Sequence, residues 1–218
     1  MNKFKAFLFD LNGTMIDDMQ YHIMAWHRIL NDLGFPITEH ETKMQCYGKN
    51  NELLERIFPG HYNEEDKNRM SLEKETAYQE NYRPHLKLIE GLEEFLKESK
   101  EAGIKMAIGS AAILYNVDFV LDGLNIRHYL DAVVGAEDVV NSKPDPETFI
   151  KCAAKLNVGP ADCLVFEDSP KGTEAALRAG MKCIAITTMH TREEFNDANI
   201  IRFIDFYTPE LLQQINDK

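Results

Sequence analysis

Near the amino end an almost unbroken apolar run, Phe4, Ala6, Phe7, Leu8 and Phe9, stops at Asp10 and is followed at once by the turn formers Asn12 and Gly13. A strand this apolar has no face to offer to water. That condition is met in a parallel sheet covered by helices on both sides. After Pro84 the same kind of run recurs between helical patterns. Segments 105–109, 132–135, 163–166 and 183–187 read as strands, and 92–102, 117–124, 147–156 and 171–179 as helices. Strands alternating with helices of this length imply βαβ units, so the expected class is α/β with a parallel sheet.

One block breaks the alternation. From Met19 to Tyr82 apolar residues recur at helical spacing, first as Ile23, Trp26, Ile29, Leu30 and Leu33 with Gly34 as the stop. Leu53, Leu54, Ile57 and Phe58 form a second set before Pro59 and Gly60, and 64–82 is long, charged and helical in character. The expectation is a core made of 1–18 and 84–218, with an all-helical module over 19–83 inserted after the first strand.

The 218 residues carry a formal charge of −12, which argues against nucleic acid as a partner because phosphate backbones are held by an excess of Lys and Arg. Apolar stretches fall far short of the ~20 residues a membrane helix needs, so no membrane partner is expected. Cys46, Cys152, Cys163 and Cys183 form no C-x-x-C pair and read as reduced thiols of a cytoplasmic protein.

The residues suited to chemistry lie just past the ends of the expected strands: Asp10, Ser110, Glu167 and Asp168. That edge of an open parallel sheet is where ligands bind. As a helix cap or turn former Asp10 would be unremarkable; as a carboxylate beside a phosphoryl group it would be a nucleophile. Glu167 and Asp168 could serve the next helix start, or, as adjacent like charges near Asp10, could share a cation such as Mg²⁺. Ser110 could cap the following helix or join backbone N–H groups in cradling phosphate. Lys143, fixed in N-S-K-P-D-P, could neutralise charge on phosphoryl oxygens. Thr14 could orient the loop or the phosphate, and Asn116 is a further candidate contact.

Taken together, F-D-L-N-G-T at 9–14, G-S-A-A at 109–112, S-K-P-D-P at 142–146 and F-E-D-S at 166–169 resemble the haloacid dehalogenase superfamily, in its β-phosphoglucomutase-like phosphatase branch. The resemblance runs over nearly the whole chain and implies a Rossmann-like core with a helical cap. It implies Asp10 as nucleophile, Ser110 and Lys143 as phosphoryl holders, and Mg²⁺ bound by Asp10, the main-chain oxygen of Asn12, Glu167 and Asp168. By the same resemblance the substrate is a small phosphorylated metabolite, contacted by Thr14, His22, Tyr47, Gly48, Lys49, Ala111 and Asn116. His22 has an equally good reading as a packed structural histidine, and Lys49 a better one as a surface lysine.

Position 12 departs from the family, which ordinarily carries an aspartate there to protonate the leaving oxygen and then activate water. An amide exchanges no proton near neutral pH. In the inserted module, Tyr47 and Asn51 stand where the sugar-phosphate mutases carry a lysine and an arginine. Three readings follow: a phosphohydrolase, a mutase, or a phosphate-ligand binding protein on an enzyme scaffold. Asn12-Gly13 is also a pair prone to deamidation, which would create the missing acid in place.

Overall fold

The computed structural model describes residues 3–217. The chain falls into two compact units, one of Met1–Asp17 with Lys87–Lys218, the other of Asp18–Leu86. The first unit holds all the strands: β1 Ala6–Phe9, β2 Lys105–Gly109, β3 Ala132–Val134, β4 Cys163–Glu167, β5 Lys182–Ile186 and β6 Ile200–Ile204. The second holds helices α1 Met19–Asp32, α2 Glu39–Gln45, α3 Asn50–Ile57 and α4 Glu64–Tyr82. Helices α5 Leu92–Glu101, α6 Leu114–Gly123, α7 Glu147–Leu156, α8 Pro170–Arg178 and α9 Leu211–Asn216 return to the first unit.

The strands form one six-stranded sheet in the order β3-β2-β1-β4-β5-β6, parallel at every pairing. This is the doubly wound order, and its direction reverses between β1 and β4. Register at that switch aligns Phe9 with Phe166, so the next residues, Asp10 just past β1 and Glu167 at the end of β4, stand side by side.

Strand alternation explains why both faces are apolar. Ala6, Leu8, Val165 and Cys183 join one buried cluster with Phe149, Cys152 and Leu156 of α7 and Ala175 and Ala176 of α8. The intervening residues form an aromatic layer on the other face. Phe7 stacks on Phe95 of α5 at 5.5 Å between ring centroids, Phe9 stacks on Phe166 at 4.7 Å, and Tyr207 lies against Phe95 at 5.4 Å. Aromatic pairs at these separations add to the stabilisation from burial itself.

The expected elements occur, with α6 beginning three residues earlier than its apolar spacing suggested. Beyond 187 the sequence pattern predicts no element, and the structure adds β6 and α9 there. Strand β6 is an edge strand whose residues Ile200 to Phe203 are only half-buried, with Arg202 among them. A run interrupted by a charge does not carry the signal of a strand buried on both faces.

The helical unit packs Trp26, Leu30, Leu53, Leu54 and Met70 into a core of its own, ringed by Ile29, Leu33, Ile57 and Phe58. Its helix starts are fixed locally. Thr38 Oγ1 accepts from Glu41 N and the Glu41 carboxylate accepts in turn from Thr38 N, while Asn63 accepts from Asp66 N. A buried polar network lies inside this unit. Lys74 Nζ donates to His22 Nδ1 (2.5 Å) and Glu75 Oε1 (2.9 Å), and His22 Nε2 bonds Asp18 Oδ2 at 3.2 Å. Tyr78 donates to the same Asp18 oxygen, and its ring stacks on His22 at 3.8 Å. Among the described residues no helix is long and apolar enough to cross a membrane.

Because Phe7 is fully buried between two aromatic neighbours, Phe7→Ala is expected to cost about 3–5 kcal/mol. The shift in urea unfolding midpoint at unchanged slope measures it.

Candidate functional site

Three buried carboxylates, Asp10, Glu167 and Asp168, bring ligand oxygens within 4.8 Å of one another at the switch-point edge of the sheet. Asp10 N–H donates to Phe166 O at 2.9 Å, continuing the β1–β4 ladder one residue past the strand. The pairing of two central strands therefore sets the separation of the acids. Asp10 caps no helix here. Its Oδ1 accepts from Lys143 Nζ at 2.5 Å.

Lys143 arrives on the loop before α7. Glu147, in the first turn of that helix, accepts from Val140 N at 2.9 Å and Asn141 N at 3.0 Å, which ties the loop down. The lysine is buried, and its Nζ also donates to Glu167 Oε1 at 2.7 Å. Burial alone would strip its charge, but the Asp10 and Glu167 carboxylates outweigh that and hold the ammonium above its usual range.

Glu167 is the more committed of the two adjacent acids. While Oε1 serves Lys143, Oε2 accepts from Ser169 N (2.8 Å) and Ser169 Oγ (2.9 Å), and the carboxyl group packs where a Cβ on Gly172 would stand. Capping of α8 falls to Ser169, whose hydroxyl accepts from Gly172 N at 3.1 Å, with Pro170 in the first turn. Asp168 is buried in a like-charged setting. Burial, then Glu167 and Asp10, push its carboxyl well above the usual carboxylate range. One ammonium among three carboxylates leaves the group short of positive charge, and hard oxygen donors so placed fit a small divalent cation.

The loop after Asp10 is pressed against Asp168. Gly13 has φ +78, and a Cβ there would stand 2.1 Å from Asp168 Oδ2. Only glycine fits this conformation and this approach. Thr14, fully buried, points its hydroxyl at Asp168 Oδ1 from 3.5 Å. Asn12 is half-buried in the same loop and bridges to Ile16.

Ser110 is buried just past β2, with its N–H on Val134 O at 3.0 Å. It is not the cap of α6. Its hydroxyl accepts from Ala112 N at 3.1 Å in the loop that also contains Ala111, and α6 starts only at Leu114. The first N–H of that helix is taken by Glu137, both of whose carboxylate oxygens lie 3.0 Å from Leu114 N. Asn116 is buried in the first turn of α6.

The remaining candidates belong to the helical unit. His22 is packed inside it, in the network with Asp18, Lys74 and Tyr78. Tyr47 lies under the Arg56 guanidinium at 3.7 Å, Gly48 turns with φ +74, and Lys49 precedes α3 with its N–H on Glu52 at 3.0 Å. Asn51 is engaged with Glu64 and Asn68.

Several contributors carry no local sequence signal. Tyr207 lies after the last strand, yet its hydroxyl donates to Thr14 O at 3.2 Å. Burial, then Asp10 and Asp168, push that phenol well above its usual range, so it stays a donor. Thr188 Oγ1 donates to Gly13 O at 2.5 Å. The cysteines take no part: all four are free thiols, and burial pushes Cys152 up to about 12 and Cys163 up to about 11.

Comparison with known proteins is consistent across sequence and structure. The family described as haloacid dehalogenase-like hydrolase matches residues 7–186. A phosphorylated carbohydrates phosphatase of Thermotoga maritima is 32% identical over 184 residues, covering 83% of this chain and 83% of that protein. A beta-phosphoglucomutase of Bacillus subtilis is 30% identical over 190 residues, covering 84% of this chain and 83% of that protein. Among solved structures, a beta-phosphoglucomutase from Clostridium difficile superposes with a TM-score of 0.85 at 29% identity, covering 98% of this chain and 97% of that one.

Replacing Lys143 by Met leaves buried carboxylates without their counter-charge. In EDTA this variant is expected to lose about 3–5 kcal/mol of stability, read from chemical unfolding.

Proposed function

We propose that this chain, which belongs to the haloacid dehalogenase-like hydrolase family, is a Mg²⁺-dependent phosphatase of phosphorylated carbohydrates or similar small metabolites. The observation that carries the proposal is the group of Asp10, Glu167 and Asp168 with Lys143 at the switch point of the sheet. The phosphatase and mutase relatives named above support the substrate class. Residues 1–17 and 87–218 are read as the catalytic core, and 18–86 as a cap that selects substrate through residues such as Tyr47, Gly48 and Lys49.

Asp10 is the nucleophile: one of its carboxylate oxygens bonds to phosphorus as the bond from phosphorus to the leaving oxygen breaks. Water then attacks phosphorus, releasing phosphate and restoring the carboxylate. Lys143 fixes the Asp10 carboxyl at 2.5 Å and faces the phosphoryl oxygens with positive charge, and Ser110 holds them from the end of β2. Asp10, Asp168, Glu167 and the main-chain oxygen of Asn12 would hold the ion, which supplies charge neutralisation at phosphate. Thr14 sets the orientation of Asp168.

Asn12 decides which substrates suit the site. Its amide can orient a leaving oxygen but cannot protonate it, so groups that depart as stable anions react best. A mutase needs a proton donor and acceptor in both half-reactions, and the positions of its cap cations hold Tyr47, stacked under Arg56, and Asn51, bonded inside its own unit. Hydrolysis is therefore favoured over phosphoryl isomerisation. A binding protein without turnover would have no use for a nucleophile held by a buried lysine. Deamidation is disfavoured in the folded chain, because the Gly13 nitrogen that would attack the Asn12 side chain donates its proton to Ile16 O at 2.7 Å.

Two outcomes test these assignments. Mg²⁺-dependent release of phosphate from a panel of sugar phosphates is expected, and to vanish in Asp10→Ala; persistence in that variant refutes the nucleophile. Asn12→Asp is expected to raise alkyl-phosphate turnover by ~10²–10⁴ and acetyl phosphate turnover far less. Equal gains on both substrates would remove the leaving-group argument.

A further inference from the structure

The loop after Asp10 is tethered from outside at three successive carbonyls. Gly13 O accepts from Thr188 Oγ1 at 2.5 Å, Thr14 O from the Tyr207 hydroxyl at 3.2 Å, and Met15 O from Ile89 N at 2.9 Å. Within the loop, Gly13 N donates to Ile16 O at 2.7 Å and Met15 N to Leu11 O at 2.9 Å. The Gly13 N–H bond sets the plane of the peptide that joins residues 12 and 13, and the external bonds hold the three peptide planes that follow and so anchor it. Rotation matters at one place above all. Gly13 stands at φ +78 directly against Asp168, and the peptide that joins it to residue 12 carries the Asn12 carbonyl.

The two side-chain tethers are themselves firmly placed. Tyr207 is 1% exposed, its N–H donates to Glu90 O at 2.9 Å, and its own carbonyl lies where a Cβ on Gly91 would come within 1.8 Å. Thr188 follows β5, the strand beside β4 and hence beside the segment that delivers Asp168.

We infer that Thr188 and Tyr207 are positioning residues for divalent-metal binding: by holding the Gly13 and Thr14 carbonyls they aim the Asn12 main-chain oxygen at the carboxylate group. The inference rests on the metal-dependent reading given above and adds two residues to it. Neither side chain needs to touch substrate or ion. Their hydroxyls act through the backbone of the loop, as groups behind a ligand usually do.

The test is calorimetric titration of the metal-stripped full chain with Mg²⁺, run beside melting curves in EDTA. Thr188→Val keeps the shape of the side chain and removes the donor, and Tyr207→Phe does the same for the phenol. Each is expected to weaken Mg²⁺ binding by about 10–100-fold. Thr188→Ser, which restores a hydroxyl, is expected to bind as the parent does, an outcome a purely structural role for Thr188 would not give. Parent-like affinity in folded Thr188→Val and Tyr207→Phe overturns the inference alone. Failure of Thr188→Val to fold also overturns it, since a residue that only aims a loop must be dispensable to the fold. A parent that takes up no more Mg²⁺ than Asp168→Asn overturns the inference together with the metal reading beneath it.

Discussion

The bonds from the Lys143 ammonium to Asp10 and Glu167 are what the rest of the site is arranged around. A buried lysine is costly to desolvate, and so is each buried carboxylate. They are tolerated together because each supplies what the other lacks, and because the lysine cannot drift. Its loop is tied to α7 through Glu147, and its neighbour Glu167 is tied to the start of α8 through Ser169. The sheet contributes the remaining constraint. Parallel pairing of β1 with β4 places Asp10 next to Glu167 with no adjustable geometry between them.

That rigidity leaves the charge unbalanced by design of the fold. The ammonium answers for part of the negative charge, and burial beside Glu167 and Asp10 leaves Asp168 unable to ionise comfortably. A divalent cation would resolve the conflict more completely than a proton. The same backbone turn that brings residue 12 toward this centre presents an amide side chain instead of an acid. On the proposed reading, the residues present serve binding and nucleophilic attack but not proton transfer to the leaving group.

Much of this was legible in the sequence for a physical reason. Strands buried on both faces leave long apolar runs, and the polar residues that end them stand out, so Asp10, Ser110, Glu167 and Asp168 could be found by inspection. The helical insert was legible through its spacing at Trp26, Leu30, Leu53 and Leu54. Edge strand β6 was not, since it is half-exposed and interrupted by Arg202. Nor were the bonds of Thr188 and Tyr207, because a side chain that bonds a backbone carbonyl far away in the chain has no local pattern. Ser110 misled in one respect: a serine before a helix suggests a cap, but α6 begins at Leu114 and is served by Glu137.

The order of strands in the sheet also bears on how the chain is made. Strand β1 is translated before the other strands of its sheet, yet its partners are β2 and β4, with Ala6 aligned to Lys105 on one side and Cys163 on the other. Its four residues, all buried in the finished sheet, have no neighbour to pair with until the helical unit and α5 have been translated and β2 follows. Pairings this distant in sequence close late and slowly. The nascent chain therefore carries an unpaired, aromatic-rich segment while all of the helical unit is being made, a period in which such a strand is exposed to aggregation.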